Sequence, residues 1–470
     1  MPFLPVFLWT DILIYLLLAV VVSAVLYIRR RPHLRAPWKS VLLRKRGVLS
    51  IMILLCYVAI GLLDSVHFRV ALPSDQINDE RHYSTEVMTL LDLAILPLRQ
   101  QVEKTYSAPF ATHLFVREME TSETGVLNYD YPKLLYAGTH LENDQDKWSD
   151  ITHRVIINSL WVLLACFIVF SLMMAFLAKR HHSTWLSTAR QIIFGKLDYP
   201  YRTVFLMFLI LLLLGVNLVI LSSQYHILGT DKVGQDVLYQ TLKSVRTGLV
   251  IGTLTTLVML PLALFMGIAA GYFKGWIDDV IQYIYTTLNS IPGVLLIAAA
   301  VLMLQVYMSN HPESFVTIAE RADMRLLFLC IILGLTSWTG LCRILRGETL
   351  KLREAEYVLA ARALGAGSLT ILHRHILPNL MHIVMIAIVL DFSGLVLAEA
   401  VLSYVGVGVD PSMISWGNMI NSARLEMARE PIVWWSLAAA FISMFTLVLA
   451  ANLFADVVRD AFDPRMQATQ

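Results

Sequence analysis

"AARALGAGSLTILHRHILP", Ala360–Pro378, interrupts a chain that is otherwise mostly apolar. Just upstream, "EAEYVLAARALG" begins at Glu354 and reads as helix, because Tyr357, Ala360, Ala361 and Leu364 recur at i, i+3, i+4 and i+7 and share one face. Gly365 can take the left-handed conformation that closes a helix. Ser368 is the expected N-cap of a second helix, and Pro378 is expected to mark entry into the apolar run beginning at Leu380. The stretch predicts a short helix, a glycine hinge and a second short helix. Small side chains on the first helix would let another protein's groove approach its backbone, the helix-in-groove mode of recognition. A pair of amphipathic helices lying on lipid fits the same pattern. The alanines weigh against it, since lipid-seated helices favour bulky Leu, Phe and Trp.

Outward from this stretch the composition is that of a membrane: 57% of the 470 residues are hydrophobic and 15% charged, with a mean hydropathy of +0.64. About 20 apolar residues cross the hydrocarbon layer, and nine segments qualify: Val6–Ile28, Gly47–Val66, Val155–Ala178, Thr203–Ser222, Thr247–Ala270, Val280–Gln305, Leu326–Cys342, Leu380–Val405 and Val433–Ala455. The fold class expected is an all-α polytopic membrane protein. Val280–Gln305 carries Gln282, Asn289 and Pro292, Leu326–Cys342 is short, and Leu380–Val405 carries two acids. The first segment lacks a positive flank before it and is too long for a signal peptide, so it reads as an anchor.

Lys and Arg collect on the cytoplasmic side of membrane proteins. Arg29, Arg30, Arg31, Arg35, Lys39, Arg44, Lys45 and Arg46 lie between the first two spans with no acid among them. That loop is expected in the cytoplasm, which puts the N-terminus outside. Asp64–Asp150 holds 15 acidic against 7 basic residues, a balance of −8 suited to an external insert. Lys179, Arg180, Arg190, Lys196 and Arg202, against Asp198 alone, return the chain to the cytoplasm, and His181 and His182 extend that basic flank. Continuing the count leaves Arg343–Asn379 and the C-terminus inside. Within the insert, "STEVMTLLDLAILPLRQQVEK" looks helical, whereas "NYDYPKLLYAGTH" is a mixed Tyr, Gly and Pro segment.

The net charge of +2 gives no argument for nucleic acid. Cys56, Cys166, Cys330 and Cys342 sit in or beside apolar runs and read as inert thiols rather than a disulfide or zinc set. No phosphate-binding loop occurs, so the chain is not expected to hydrolyse ATP, and His373 and His375 lack partners at metal-ligand spacing. Asp391 and Glu399 lie in one span, eight residues apart and roughly on one face, where ionised groups are costly unless they meet water or a partner. They read either as lining of a translocation path, or as a solvated Glu399 near the outer boundary with Asp391 in a structural hydrogen bond. Asn217, Asn289 and Asn452 are placed to bridge helices, and Pro261 and Pro292 to kink them. Gly229 and Gly234 suit tight turns, with Asp231 or Asp236 as the cap of the following helix. Gly406, Gly408, Pro411 and Gly417 suggest a re-entrant or hairpin connection.

These motifs carry a resemblance. Ala360, Ala361, Gly365, Leu377 and Pro378 fall at the spacing of the Glu-Ala-Ala, three residues, Gly, nine residues, Ile, any residue, Leu-Pro signature of ABC-transporter permeases. Leu359 stands where the signature glutamate belongs and His375 where the isoleucine does; Glu356, about one turn earlier, is placed to replace the acid. "LGTDKVGQDVL" (Leu228–Leu238), "AGYFKGWIDD" (Ala270–Asp279) and "LSYVGVGVDPSMISWGNMI" (Leu402–Ile420) are similar to segments of the C-type permease of dipeptide and oligopeptide importers, with Gln235 in place of an arginine. The resemblance covers about 203–465 and implies a six-span core, preceded here by three extra spans and an insert. It divides the chain into two N-terminal helices with a basic loop (1–66), the insert (67–150), a third helix with its linker (151–202) and the permease core (203–470).

What it implies is a transmembrane subunit of an ATP-driven importer in the bacterial inner membrane, paired with a second permease subunit, two cytoplasmic ATPases and an extracytoplasmic solute-binding protein. It needs no cofactor or metal, contacts membrane lipid and binds no nucleic acid. Glu354, Glu356, Tyr357, Leu359, Ala360, Ala361, Leu364, Gly365 and Pro378 would couple to the ATPases. Asp391 and Glu399 would line the path, and Gly229, Asp231, Gly234, Asp236, Gly406, Gly408, Trp416 and Gly417 would form an outer turn or gate. The competing classes are a transport-inactive permease-like receptor or anchor, and an ion-driven secondary transporter using the two intramembrane acids.

Overall fold

The computed structural model describes residues 3–71, 83–121, 127–141, 143–180, 184–194, 199–314 and 317–462. His181, His182 and Lys196, read above as part of a basic flank, and the Asp198 among them lie outside them. The helices run α1 (Trp9–Arg30), α2 (Pro32–Leu43), α3 (Lys45–Asp64), the short α4 (Leu90–Ala94) and α5 (Leu96–Gln100), α6 (Lys147–Arg180), α7 (Trp185–Ile193) and α8 (Tyr201–Ser222). There follow α9 (Val237–Phe273), α10 (Trp276–Ser290), α11 (Gly293–Asn310), α12 (Ile318–Arg353), α13 (Glu356–Ala363), α14 (Ser368–Ile371), α15 (Leu377–Tyr404), α16 (Trp416–Glu426) and α17 (Trp435–Phe462). Among the described residues nine helical segments are long and apolar enough to cross a membrane. The helical class holds, and the insert adds small antiparallel pairings, His67–Val70 with Met88–Thr89 and Glu118–Thr121 with Leu127–Asp130.

The sixth span differs from its expectation. Val280–Gln305 is not one kinked helix: it breaks at Ile291, whose φ of −91° and ψ of 130° are extended, and only α11 is long and apolar enough to span. Proline disfavours the helical conformation in the residue before it, so Pro292 ends α10 rather than bending it. Pro261 behaves otherwise, and α9 continues through it. The helical-looking run of the insert is also cut into pieces. Thr89 and Asp92 form a reciprocal capping box that starts α4, and Pro97, which cannot continue a helix, sits in the first turn of α5.

The chain forms two compact units, each assembled from separated segments. The first comprises Met1–Leu4, Lys39–Arg246 and Ile414–Ala450. Here α6 and α8 pair, with Asn217 donating to Ser159 at 3.3 Å, and the insert closes over Leu98, Leu238 and Tyr239. Lys243 joins Asp64 at 3.1 Å to Asp92 at 2.9 Å.

The second unit comprises Pro5–Trp38, Thr247–Met413 and Ala451–Gln470. Its core joins α9, α12 and α15 through Met259, Trp338, Leu345, Ile376 and Leu380. Gly267 and Gly271, one helical turn apart, let α9 cross α12 closely: a Cβ at either would stand 2.8 Å from the Cys342 or the Arg346 carbonyl oxygen. Thr339 donates to Asn289 at 3.0 Å and Ser393 to Asn452 at 2.8 Å, so all three asparagines expected to bridge helices do so. The extra first helix belongs to this unit, its Thr10 backbone N–H donating to Asp323 at 3.2 Å. All four cysteines are free, with Cys330 and Cys342 buried.

Candidate functional site

The loop after α12 is cemented at its foot and open at its tip. Val358 of α13 is fully buried with Ile371 and Ile376. On the other side, Tyr357 and Leu359 are exposed, and Leu364 and Leu369 keep 88% and 82% of their surface in solvent. Ala360 is exposed and Ala361 half-buried, so the face predicted from spacing is largely the open one. Gly365, at a φ of +83°, closes α13 in a complete Schellman motif: its N–H donates to Arg362 O and that of Ala366 to Ala361 O, both at 3.0 Å. No heavy atom lies within 4 Å of where a Gly365 Cβ would be.

The second helix begins differently from the prediction. Gly367, not Ser368, is its N-cap, and Ser368 is already inside α14. Pro378 is not a boundary either. α14 passes through a π-turn, Leu372–Ile376, directly into α15, with the Leu377 N–H donating to Leu372 O. Proline removes one N–H from a helix and crowds the preceding carbonyls; in its first turn, and after a widened π-turn, both costs are small. Asn379 then bonds the His375 carbonyl at 2.7 Å and the Tyr357 hydroxyl at 3.1 Å.

A second motif, distant in sequence, holds this loop. The α9–α10 turn places Lys274 at a φ of 57° and Gly275 at 61°, and the Lys274 ammonium meets the Glu354 carboxylate at 3.2 Å. That hydrogen bond and charge hold Glu354 below the usual carboxylate range. Arg353 donates to the Tyr272 carbonyl at 2.9 Å, and the Arg362 guanidinium stands 5.7 Å from the centre of the Tyr272 ring. Arg346 grips Asp278 with two hydrogen bonds of 2.5 and 2.7 Å, which keep that carboxyl low. The acid tied to the turn is Glu354; Glu356 is exposed. Tyr272, Lys274, Asp278 and Arg346 were missed as site residues, although "AGYFKGWIDD" was noticed as a motif, because nothing in linear spacing pairs it with the loop.

In the first unit, the turn Leu228–Leu238 buries Gly229, Thr230, Gly234 and Asp236 and leaves Lys232, Val233 and Gln235 exposed. Gly229 and Gly234 have φ of +71° and +77°. Asp236 is the helix cap, accepting from Leu238 N at 2.7 Å and Tyr239 N at 3.2 Å. Asp231 instead closes the turn on Val233 N and Gln235 N, both at 2.9 Å. The insert is bonded to this turn: Glu103 N–H donates to Gly234 O at 2.9 Å and Ser107 N–H to Thr230 Oγ1 at 2.7 Å; from α17, Trp435 Nε1–H donates to Thr230 O at 2.9 Å.

At the centre of this junction His226 lies between Asp236, 2.7 Å from Nδ1, and Glu103, 3.4 Å from Nε2, all three side chains about 1% exposed. Burial opposes charge on the imidazole, but the bonds to Asp236 and Glu103 outweigh it and push His226 up to about 9. Burial likewise works to raise Glu103; His226 and the backbone N–H groups of Leu135 and Tyr136, each at 2.9 Å, win and hold it low. Neither His226 nor Glu103 was singled out from the sequence. Their contact joins residues 123 positions apart.

The remaining predicted residues divide between the units. Trp416, 1% exposed, and the buried Gly417 open α16 in the first unit, the indole edge-on to Tyr57 at 6.4 Å. Gly406, at a φ of +85°, and Gly408 lie in the second, where a Gly408 Cβ would stand 2.6 Å from the Ser403 nitrogen. Glu399 is 1% exposed and accepts from Ser403 at 2.8 Å, so it is not the solvated boundary residue considered above. Asp391 is half-buried on the same helix.

Residues 263–468 match the family described as binding-protein-dependent transport system inner membrane component. The glutathione transport system permease protein GsiD of Pectobacterium atrosepticum is 33% identical over 248 residues, 52% of this chain and 75% of that protein. The chain belongs to this permease family. The oligopeptide transport system permease protein OppC of Mycobacterium tuberculosis is 33% identical over 51% of the permease and 76% of its own length. For the dipeptide transport system permease protein DppC of Bacillus subtilis the figures are 30%, 52% and 70%. A crystal form of the inward-facing MetNI methionine ABC transporter overlaps 47% of the permease and 94% of that chain, at 17% identity and a TM-score of 0.34. The family match begins inside α9, so it contains the loop Glu354–Pro378 and the α9–α10 turn, and leaves the insert and the turn Leu228–Leu238 before it.

Proposed function

We propose that this permease serves an ATP-driven importer of peptides, with ATP hydrolysed by separate subunits. The relatives named for oligopeptide, dipeptide and glutathione transport support the substrate class, and they weigh against a bare receptor or an ion-driven carrier. Two ATPases, a second permease subunit and an extracytoplasmic binding protein complete the assembly. The basic segments support an N-terminus outside and a C-terminus in the cytoplasm of a bacterial inner membrane. The transport core is 203–470; 1–66, 67–150 and 151–202 are an anchoring extension, an external domain and a linker.

The observation that carries the reading is the loop's two-sidedness. Val358 and Ile371 fix it to the bundle, while Tyr357, Leu359, Leu364 and Leu369 offer an apolar knuckle to a groove. ATP binding closes the ATPase pair, the groove shifts, and the knuckle passes the displacement to α12 and α15 as a rigid-body movement. Substrate then follows a path lined by Asp391 and Glu399, with Gly406 and Gly408 at its outer gate and the turn Gly229, Asp231, Gly234 and Asp236 fixing the insert beside Trp416 and Gly417. A photo-crosslinker at Tyr357 or Ala361 in the assembled complex is expected to capture a nucleotide-hydrolysing subunit. Capture of phospholipid alone sinks the proposal.

A further inference from the structure

Away from the loop, α6, α7 and α8 border an open groove of about 540 Å³ whose wall is almost entirely hydrocarbon. Leu163, Phe167 and Phe170 of α6 recur on one helical stripe and face Phe205 and Leu209 of α8 across it. The Phe170 and Phe205 rings meet edge-on at 4.6 Å. α7 closes the side, held by Ala189 and Ile192 against Met174 and Tyr201. Arg202 is the one ionised side chain in the lining, and it is exposed. Its surroundings are basic: Lys179 and Arg190 are exposed, and in the sequence Asp198 is the single acid between Asp150 and Asp231. Among the described residues no acid pairs with Arg202.

Two physical facts narrow the occupant. An open apolar groove between two membrane helices is filled by hydrocarbon far more readily than by water. A cation at its mouth, in a basic surround, recognises an anion, and clustered Lys and Arg at a span end are the usual signature of acidic lipid. We infer that this groove is a binding site for an anionic phospholipid, one acyl chain between α6 and α8 and the headgroup phosphate on Arg202. The groove seats the tail and the guanidinium selects the headgroup. A zwitterionic lipid presents the same tail but neutralises its own phosphate, so it gains less from Arg202.

The test uses the full chain, delipidated in mild detergent and titrated with phosphatidylglycerol or phosphatidylcholine of identical acyl chains, with retained lipid counted by native mass spectrometry. Phosphatidylglycerol should be held about fivefold more tightly, the value of one basic contact to an acidic headgroup. Arg202→Gln should erase the difference, whereas Arg190→Gln, outside the lining, should preserve it. Leu206→Trp, which obstructs the groove and leaves the charge, should reduce retention of both lipids and serves as the deciding variant if R202Q does not fold. Equal retention by the native chain, full selectivity in R202Q, or undiminished binding in L206W would each overturn the site.

Discussion

Two glycine turns, both visible as motifs in the sequence, end in opposite surroundings. Gly365 and Gly234 share a left-handed backbone, at φ of +83° and +77°. Around Gly365 a methyl group would meet nothing within 4 Å; at Gly234 it would stand 1.8 Å from the Glu103 carbonyl oxygen. One glycine is required by its own conformation alone, the other also by what is pressed against it. The difference separates an open turn from a junction already filled by the chain's own insert.

The largest effect should therefore come from Gly234→Ala. A Cβ within 1.8 Å of backbone cannot be relieved by a side-chain rotation, and the left-handed backbone adds about 1–2 kcal/mol. A loss above about 4 kcal/mol, in the range reserved for severe steric disruption, should appear as a lowered melting temperature in detergent and loss of hydrogen-exchange protection across 103–121 and 127–136. Melting within a degree of the native protein would mean that the insert does not rest on this turn as described.

His226 sharpens the same contrast. Its replacement by Gln leaves Glu103 and Asp236 buried without a cation, and removing one member of a buried ion pair costs about 3–5 kcal/mol. The pH dependence has a defined sign. Because the folded state raises the imidazole from 6.5 to about 9, its stabilisation is complete below 6.5 and disappears as pH rises through about 9. Glu103, held low, contributes above the ordinary carboxylate range and loses that contribution on acidification. Melting followed from pH 6 to 10 should fall on the alkaline side in the native chain and lose that component in H226Q. Parallel curves for the two would exclude His226 as the staple.

Much of this was legible in sequence, and the rest was hidden for identifiable reasons. Length and hydropathy located the spans, and the i, i+3, i+4, i+7 pattern located the open face of α13. Local chemistry misled where two local rules compete. Ser368 is a good N-cap residue, yet Gly367 takes the cap, and Pro378 looked like a boundary because a π-turn that absorbs proline has no simple composition signal. Partners across long separations stayed invisible: Lys274 with Glu354, Arg346 with Asp278 and His226 with Glu103 are set by how helices pack, which no periodicity records.

At the open turn the stability effects shrink and the functional ones separate from them. Gly365→Ala should cost about 1–2 kcal/mol, confined to the α13 cap, with the membrane-inserted yield unchanged. Gly365→Pro cannot adopt a φ of +83° and should abolish uptake while still inserting; native uptake in that variant would remove the knuckle from the coupling path.

The smallest stability change is expected at Lys274 and Glu354, and it discriminates most finely. Both side chains are substantially exposed, 44% and 59%, so the pair should add nothing measurable to melting, as is common for solvent-screened ions. Its position is another matter: it ties the first residue after α12 to the α9–α10 turn, and so fixes the angle at which α13 leaves the bundle. Glu354→Gln should leave melting unchanged and lower substrate-stimulated ATPase activity of the complex, with Lys274→Gln giving the same loss and the double variant no further one. High salt should reproduce that loss in the native chain, because screening acts on the same exposed charges. Additive losses would show that the two residues act separately, leaving the loop held by its other contacts, Arg353, Arg362, Val358 and Ile371 among them.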